Sequence, residues 1–160
     1  MAIITLNNNS LVNADVGKVL QVVSTTKTDG FSTTSSSLVD ITGLSATITP
    51  TNTSSKIMVF SSFIAANSSE SADAFQLVRD STNIGVSTDG AVANQTSVYG
   101  SGATNNVYSA SIMFLDNPST TSSTTYKVQA RRNSGTLYIG RNASGNYGGI
   151  STITVYEIAG

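Results

Sequence analysis

Apolar and polar residues alternate along most of this chain with a period of two, the spacing of a strand with one buried side. The segment Ser54-Ser-Lys-Ile-Met-Val-Phe-Ser-Ser-Phe-Ile-Ala-Ala66 departs from that pattern. Ile57, Val59 and Phe63 fall on one side of it, and Met58, Phe60 and Ile64 on the other. A strand apolar on both sides needs cover on both. We expect a central strand here, with a second sheet on one face and another copy of the chain on the other. The closing segment repeats the feature, with Ile150, Tyr156 and Ile158 against Ile153 and Val155. If one face fills the core, the other is free to meet a sister chain. The alternative is a monomer whose own loops cover that face.

Further strands are expected over residues 18–24, 38–41, 43–49, 107–115, 124–130 and 135–140. Residues 74–79 and 83–87 read as a hairpin turned at Asp80-Ser-Thr82, and 96–99 as an edge strand. The segments 25–37, 67–73, 88–106 and 141–149 are rich in Ser, Thr, Asn and Gly and read as loops. No stretch shows helical periodicity. About ten short strands without crossover helices predict an all-β, antiparallel sandwich or barrel. Residues 1–16 form a separate lead with Ile3, Ile4, Leu6, Leu11 and Val12, either an arm that packs on a neighbour or a frayed end. The domain proper is expected over 17–160.

Composition narrows the function. Charged residues make up 11% of the 160 positions, well below the usual share of about 25%, so the surface is built of neutral Ser, Thr and Asn. The net charge of −1 argues against nucleic-acid and anionic-membrane partners, which call for a basic patch. With neither His nor Cys, no Ser/His/Asp or Cys/His triad can form. Thiolate metal sites are excluded too, and no cofactor motif is present. Two carboxylates suffice for glycan cleavage, and Glu70 with Asp73 is the nearest pair, but a solvated loop is the simpler reading there. The chain is therefore read as non-enzymatic, without metal or cofactor.

Recognition is the remaining chemistry. An aromatic ring stacks on a sugar while amides bond its hydroxyls. Tyr99 with Asn105 and Asn106 is one candidate group, and Arg141, Asn142, Asn146 and Tyr147 is another. The competing reading makes them turn residues and half-buried aromatics.

Several phrases, in order, resemble a domain found in bacteriophage virion proteins, those of marine phages especially. They are Gly17-Lys-Val-Leu-Gln-Val-Val23, Ile41-Thr-Gly-Leu-Ser-Ala-Thr-Ile-Thr-Pro50 and Thr53-Ser-Ser-Lys-Ile-Met-Val59. Downstream come Phe75-Gln-Leu-Val-Arg-Asp-Ser-Thr-Asn-Ile84, Phe114-Leu-Asp-Asn-Pro118, Thr124-Thr-Tyr-Lys-Val-Gln129 and Ser151-Thr-Ile-Thr-Val-Tyr-Glu-Ile158. That family is similar to the trimeric jelly rolls of tumour-necrosis-factor and complement-head domains. The resemblance implies a two-sheet jelly roll, three copies around an axis, and a place on the virion surface. With the two-faced strands it marks Met58, Phe60, Ile64, Tyr156 and Ile158 as the expected trimer interface. The implied roles are a knob or short appendage that touches host glycans, or a capsid decoration or tail-joining protein held to other virion proteins by residues 1–16. A free carbohydrate-binding module is a third. No shaft repeat precedes residue 17, which speaks against a long fibre.

Overall fold

A computed structural model describes residues 17–88, 95–101 and 106–160. The proposed arm 1–16 and Asn105 lie outside the described residues. Eleven strands occur among those described: β1 (Val19–Lys27), β2 (Phe31–Thr33), β3 (Val39–Ile48), β4 (Lys56–Asn67), β5 (Glu70–Arg79), β6 (Thr82–Ile84), β7 (Thr96–Ser101), β8 (Tyr108–Asp116), β9 (Thr124–Arg132), β10 (Leu137–Ile139) and β11 (Ser151–Ile158).

They form two antiparallel sheets. In the first, β4 has β8 on one edge and both β11 and β10 on the other. β11 takes the first half of β4 (Lys56–Ser62), and β10 takes Ala65–Asn67. β1 then pairs with β11, and β2 with β10. In the second sheet β9 lies between β3 and β5, and the far edge of β5 holds β7 at its start and β6 at its end. Collinear partners merge: β1 with β2, β6 with β7, β10 with β11. Numbered along the chain, the columns then run 1-8-3-6 in one sheet and 2-7-4-5 in the other. That order is a jelly roll, with the chain crossing between sheets at nearly every connection.

The central strand behaves as its pattern requires. Ile57, Val59 and Phe63 point between the sheets with Ile153 and Val155, while Met58, Phe60 and Ile64 point out. Opposite them, Leu44, Ala46, Ile48, Phe75, Leu77, Tyr126 and Val128 complete the core. Phe63 and Phe75 meet edge to face across the two sheets, with centroids 4.8 Å apart, a favoured aromatic geometry.

Two buried polar clasps also join the sheets, one at each end of β8. Near its start, the Tyr108 hydroxyl donates to Asp73 Oδ2 at 2.6 Å. Arg132 Nη1 reaches Asp73 Oδ1 at 2.7 Å, with both side chains fully buried. Asn67 Nδ2 donates to the same carboxylate at 3.0 Å. The guanidinium also donates to the carbonyls of Ser69 and Ser134. At the far end, Asp116 accepts from Arg79 Nη1 at 2.9 Å and from the Tyr126 hydroxyl at 2.7 Å. Burial, reinforced by the neighbouring carboxylates, pushes both tyrosine hydroxyls far above their ordinary pKa. They are donors at any physiological pH.

Four expectations need correction. Residues 67–73 are not a loop: β4 runs to Asn67 and β5 begins at Glu70, so only Ser68 and Ser69 turn the chain. The expected strands 38–41 and 43–49 are one strand, whose register shifts at Gly43, where φ is +83°. A short β2 lies inside the expected 25–37 loop. The hairpin after β5 turns on Asp80 and Ser81 alone, with Asp80 in the left-handed region, and its second strand ends at Ile84.

Candidate functional site

The outward face of the first sheet carries the five residues expected at an interface. Cross-strand register places them in rows. One row reads Val22, Tyr156, Met58, Leu115, from β1 through β11 and β4 to β8. The next reads Ser24, Thr154, Phe60, Met113, and the next Thr26, Thr152, Ser62, Ser111. Ile158 pairs with Val19 and Lys56 at the lower rim, and Ile64 sits beside Ser109 above the hydroxyl row. Exposure is large for a sheet face: Met113 is 60% exposed, Val22 53%, Leu115 43% and Phe60 38%. Met58, Ile64, Tyr156 and Ile158 are half-buried. The structure thus brings Met58, Phe60 and Tyr156 into one patch with Ile158 on its rim, and sets Ile64 apart by the Ser62 row. Val22, Met113 and Leu115 belong to the patch and were missed. In β8 the run Ile112-Met-Phe-Leu115 is apolar at every position, so which of its residues turn outward depends on pairing.

The second sheet's outer face is different in kind. Asp40 bonds Lys127 Nζ at 2.8 Å and Gln129 Nε2 at 2.7 Å, and the hydroxyls of Thr47 and Thr125 meet at 2.8 Å. The Lys127 contact holds the Asp40 carboxyl below its usual range. Such a face is at ease in water, whereas the first sheet turns Val22, Phe60, Met113 and Leu115 out to solvent.

The loop candidates divide. Gly140 to Ile150 folds as a small hairpin over the C-terminal end of β4. Gly140 N donates to the Ile64 carbonyl and Gly149 N to the Gly140 carbonyl. Asn142 is fully buried and organises this loop: its Oδ1 accepts from Tyr147 N at 3.1 Å, and its Nδ2 donates to Ser144 Oγ at 2.8 Å. Arg141 lies over the Tyr138 ring at 4.6 Å, with its stem against Gly30. Asn142 is thus turned to the loop's own structure, and half-buried Arg141 to the neighbouring Tyr138 and Gly30. Asn146 and Tyr147 stand exposed at its tip, beside the exposed Ile150.

Tyr99 is 72% exposed on β7, an edge of the other sheet, and Asn106 is exposed ahead of β8. The β8 and β10 ends that lead to Asn106 and to the Tyr147 loop flank Ala65 on opposite edges of β4. Two strand spacings, about 10 Å, separate them. The two groups are therefore neighbours at one end of the sandwich and not a single cluster.

Glu70 and Asp73 do not form a pair. They lie on opposite faces of β5, with Glu70 exposed and Asp73 locked on Arg132. At the other end of the sandwich, Glu157 is buried. Burial alone would raise its pKa, but donors from Thr51 and Gln21 outweigh that and lower it to about 2. Thr51 gives both its N–H and its hydroxyl at 2.7 Å, and Gln21 Nε2 donates at 2.6 Å. This carboxylate ties β1, β11 and the loop after β3 together. A shallow cavity of about 250 Å³ opens beside it, lined by Leu20, Thr51, Ser54 and Gly160.

No family model matches the chain, and no curated protein matches it. Among solved structures, it is similar to the PRD1 vertex protein P5 at 14% identity and a TM-score of 0.49, over 89% of this chain and 99% of that one. A chain from the structure of infectious bursal disease virus, Gt strain, is similar at 18% identity and a TM-score of 0.45, over all of this chain and 43% of that one. The Gx strain gives 16% identity and a TM-score of 0.38, over 89% of this chain and 37% of that one. At such scores these likenesses carry no argument, and the jelly roll is defined by strand order alone.

Proposed function

We propose that this chain is a non-enzymatic structural protein of a bacteriophage particle, displayed on the surface as a homotrimeric knob or short appendage. The observation that carries the assembly reading is the apolar row Val22, Tyr156, Met58, Leu115 across the outer face of a sheet whose partner sheet has a polar exterior. The phage setting is supported by the ordered phrases between Gly17 and Ile158, which resemble virion domains of the tumour-necrosis-factor-like trimeric type. Residues 1–16 are the proposed link to other virion proteins. Tyr147 and Asn146 at the loop tip are the proposed contact with host glycan. Labelling the chain in intact particles tests the location. Signal on the particle surface is expected, and absence from purified particles refutes it.

A second reading, a decoration or tail-joining protein without receptor role, is favoured by one observation. Asn142 is committed to its own loop and Arg141 to the Tyr138 ring, which leaves Tyr147 and Asn146 as the outward members of that group. Tyr147→Ala separates the two readings: lost host-cell binding with unchanged stability supports display, and no host binding by the intact protein supports decoration.

A further inference from the structure

The outer face of the second sheet carries a frame of side chains near the start of β5. Register puts Tyr99 of β7 opposite Ala72 of β5. Asn133 lies on the other side of Ala72, and its N–H donates to the Ala72 carbonyl at 3.3 Å. Val98, Asp73 and Arg132 turn inward, so by alternation Tyr99, Ala72 and Asn133 turn outward. Glu70 is the outward residue before Ala72 on β5, and Arg131 the outward residue before Asn133 at the end of β9. An exposed ring and an exposed amide thus stand two strand spacings apart, about 10 Å, with half-buried Ala72 as the floor between them. A charge of each sign sits about 7 Å along the strands, Glu70 at one end and Arg131 at the other.

We propose that this frame binds one neutral pyranose ring of a glycan, at a site separate from the loop-tip contact described above and not dependent on it. Room is the first argument. The gap is one strand wide, and its floor is a methyl group, where a longer side chain would fill it. The second is an oriented donor. Arg131 Nη1 meets Asn133 Oδ1 at 3.1 Å. A guanidinium can only donate, so the oxygen of that amide is the bound atom and Nδ2 keeps its two donors for a ligand.

The third argument is that both charges are unspent. Asp40, outward on the same sheet, is held by Lys127 and Gln129. The inward Asp73 and Arg79 are paired with Arg132 and Asp116. Among the described residues, Glu70 and Arg131 meet no charged partner. A sugar hydroxyl both donates and accepts. A carboxylate that only accepts, set opposite an amide and a guanidinium that donate, therefore suits the several hydroxyls of one ring. The Tyr99 ring, 72% exposed, offers a flat face for the apolar side of that sugar. The two charges cancel across the frame, and Glu70 opposes an acidic sugar, so the class is neutral.

Titration of the isotope-labelled intact chain with methyl glucoside, methyl galactoside, methyl mannoside and methyl glucuronoside, followed by NMR, tests the site. At least one neutral glycoside should bind with a Kd of about a millimolar, ordinary for so small a ligand. It should shift the amides of Ala72, Tyr99 and Asn133, and bind more tightly than the glucuronoside. Tyr99→Ala should weaken binding at least about tenfold, and Tyr147→Ala should leave it unchanged. Glu70→Gln should reduce the preference for the neutral sugar over the acidic one. Both Tyr99 and Glu70 are exposed, so circular dichroism should show each variant folded. The site is overturned by no binding of any neutral glycoside, by tighter binding of the glucuronoside, or by an unchanged Kd in Tyr99→Ala. An unchanged preference in Glu70→Gln overturns it too. Shifts confined to residues 141–147 overturn this site and leave the loop-tip contact standing.

Discussion

Asp73→Asn is the most informative single change in the fold. The carboxylate sits at 0% side-chain exposure and faces Arg132, also at 0%. One oxygen accepts from Arg132, and the other from Tyr108 and Asn67. An amide keeps the shape but removes the counter-charge, and its NH₂ then meets a donor from either Arg132 or Asn67. Removing one partner of a buried pair costs about 3–5 kcal/mol. With a urea slope of about 2 kcal/mol/M, the unfolding midpoint should fall by about 2 M at fixed protein concentration, which must be held because assembly adds stability. Tyr108→Phe removes one bond to the carboxylate and should cost about 1–3 kcal/mol. The double change Asp73→Leu with Arg132→Met leaves no unpaired charge and should lie far closer to wild type than either single change. If Asp73→Asn shifts stability by less than about 1 kcal/mol, the clasp is not holding β8 to the second sheet and the reasoning fails.

Two further predictions use other contacts. Glu157 has its folded pKa lowered from 4.5 to about 2, so its stabilisation is complete above the unfolded value and is lost as pH falls from about 4.5 towards 2. Glu157→Gln should be less stable at pH 7 by about 1.5–3 kcal/mol, and its thermal midpoint should converge with wild type near pH 2; parallel pH profiles would refute the assignment. A Cβ on Gly100 would stand 1.2 Å from Asn67 Nδ2. Gly100→Ala should therefore be destabilising in the wild-type chain and nearly neutral in an Asn67→Ala background, and equal costs in both, measured by urea unfolding, would contradict that coupling.

These contacts also mark how far the residues could be read unaided. The two-sided pattern of Ile57 to Ile64 defined a central strand and assigned its faces correctly, because side-chain parity needs no partner. Asp73 was misplaced for the opposite reason. The run Asn67-Ser-Ser-Glu-Ser-Ala-Asp73 is polar, and its burial depends on Arg132, 59 positions away, which periodicity cannot see. A trace of it existed: Asp73 shares parity with the buried Phe75 and Leu77. Gly43 was taken for a break because a glycine at a register shift and a glycine between two strands look alike in one dimension. The loop tip shows the same limit. Asn142 and Asn146 are equivalent letters in a glycine-rich segment, yet one is buried as the loop's organiser and the other is exposed. The outward apolar rows were half legible, since Val22, Met113 and Leu115 join them only through pairing.

Sedimentation equilibrium on the intact chain, over a hundredfold dilution series, addresses the central claim that sister copies cover the outer face of the first sheet. The account predicts a mass three times the 16.5 kDa of one chain. A well-folded species of 16.5 kDa at every concentration, with Met58, Phe60 and Met113 open to water, would contradict it.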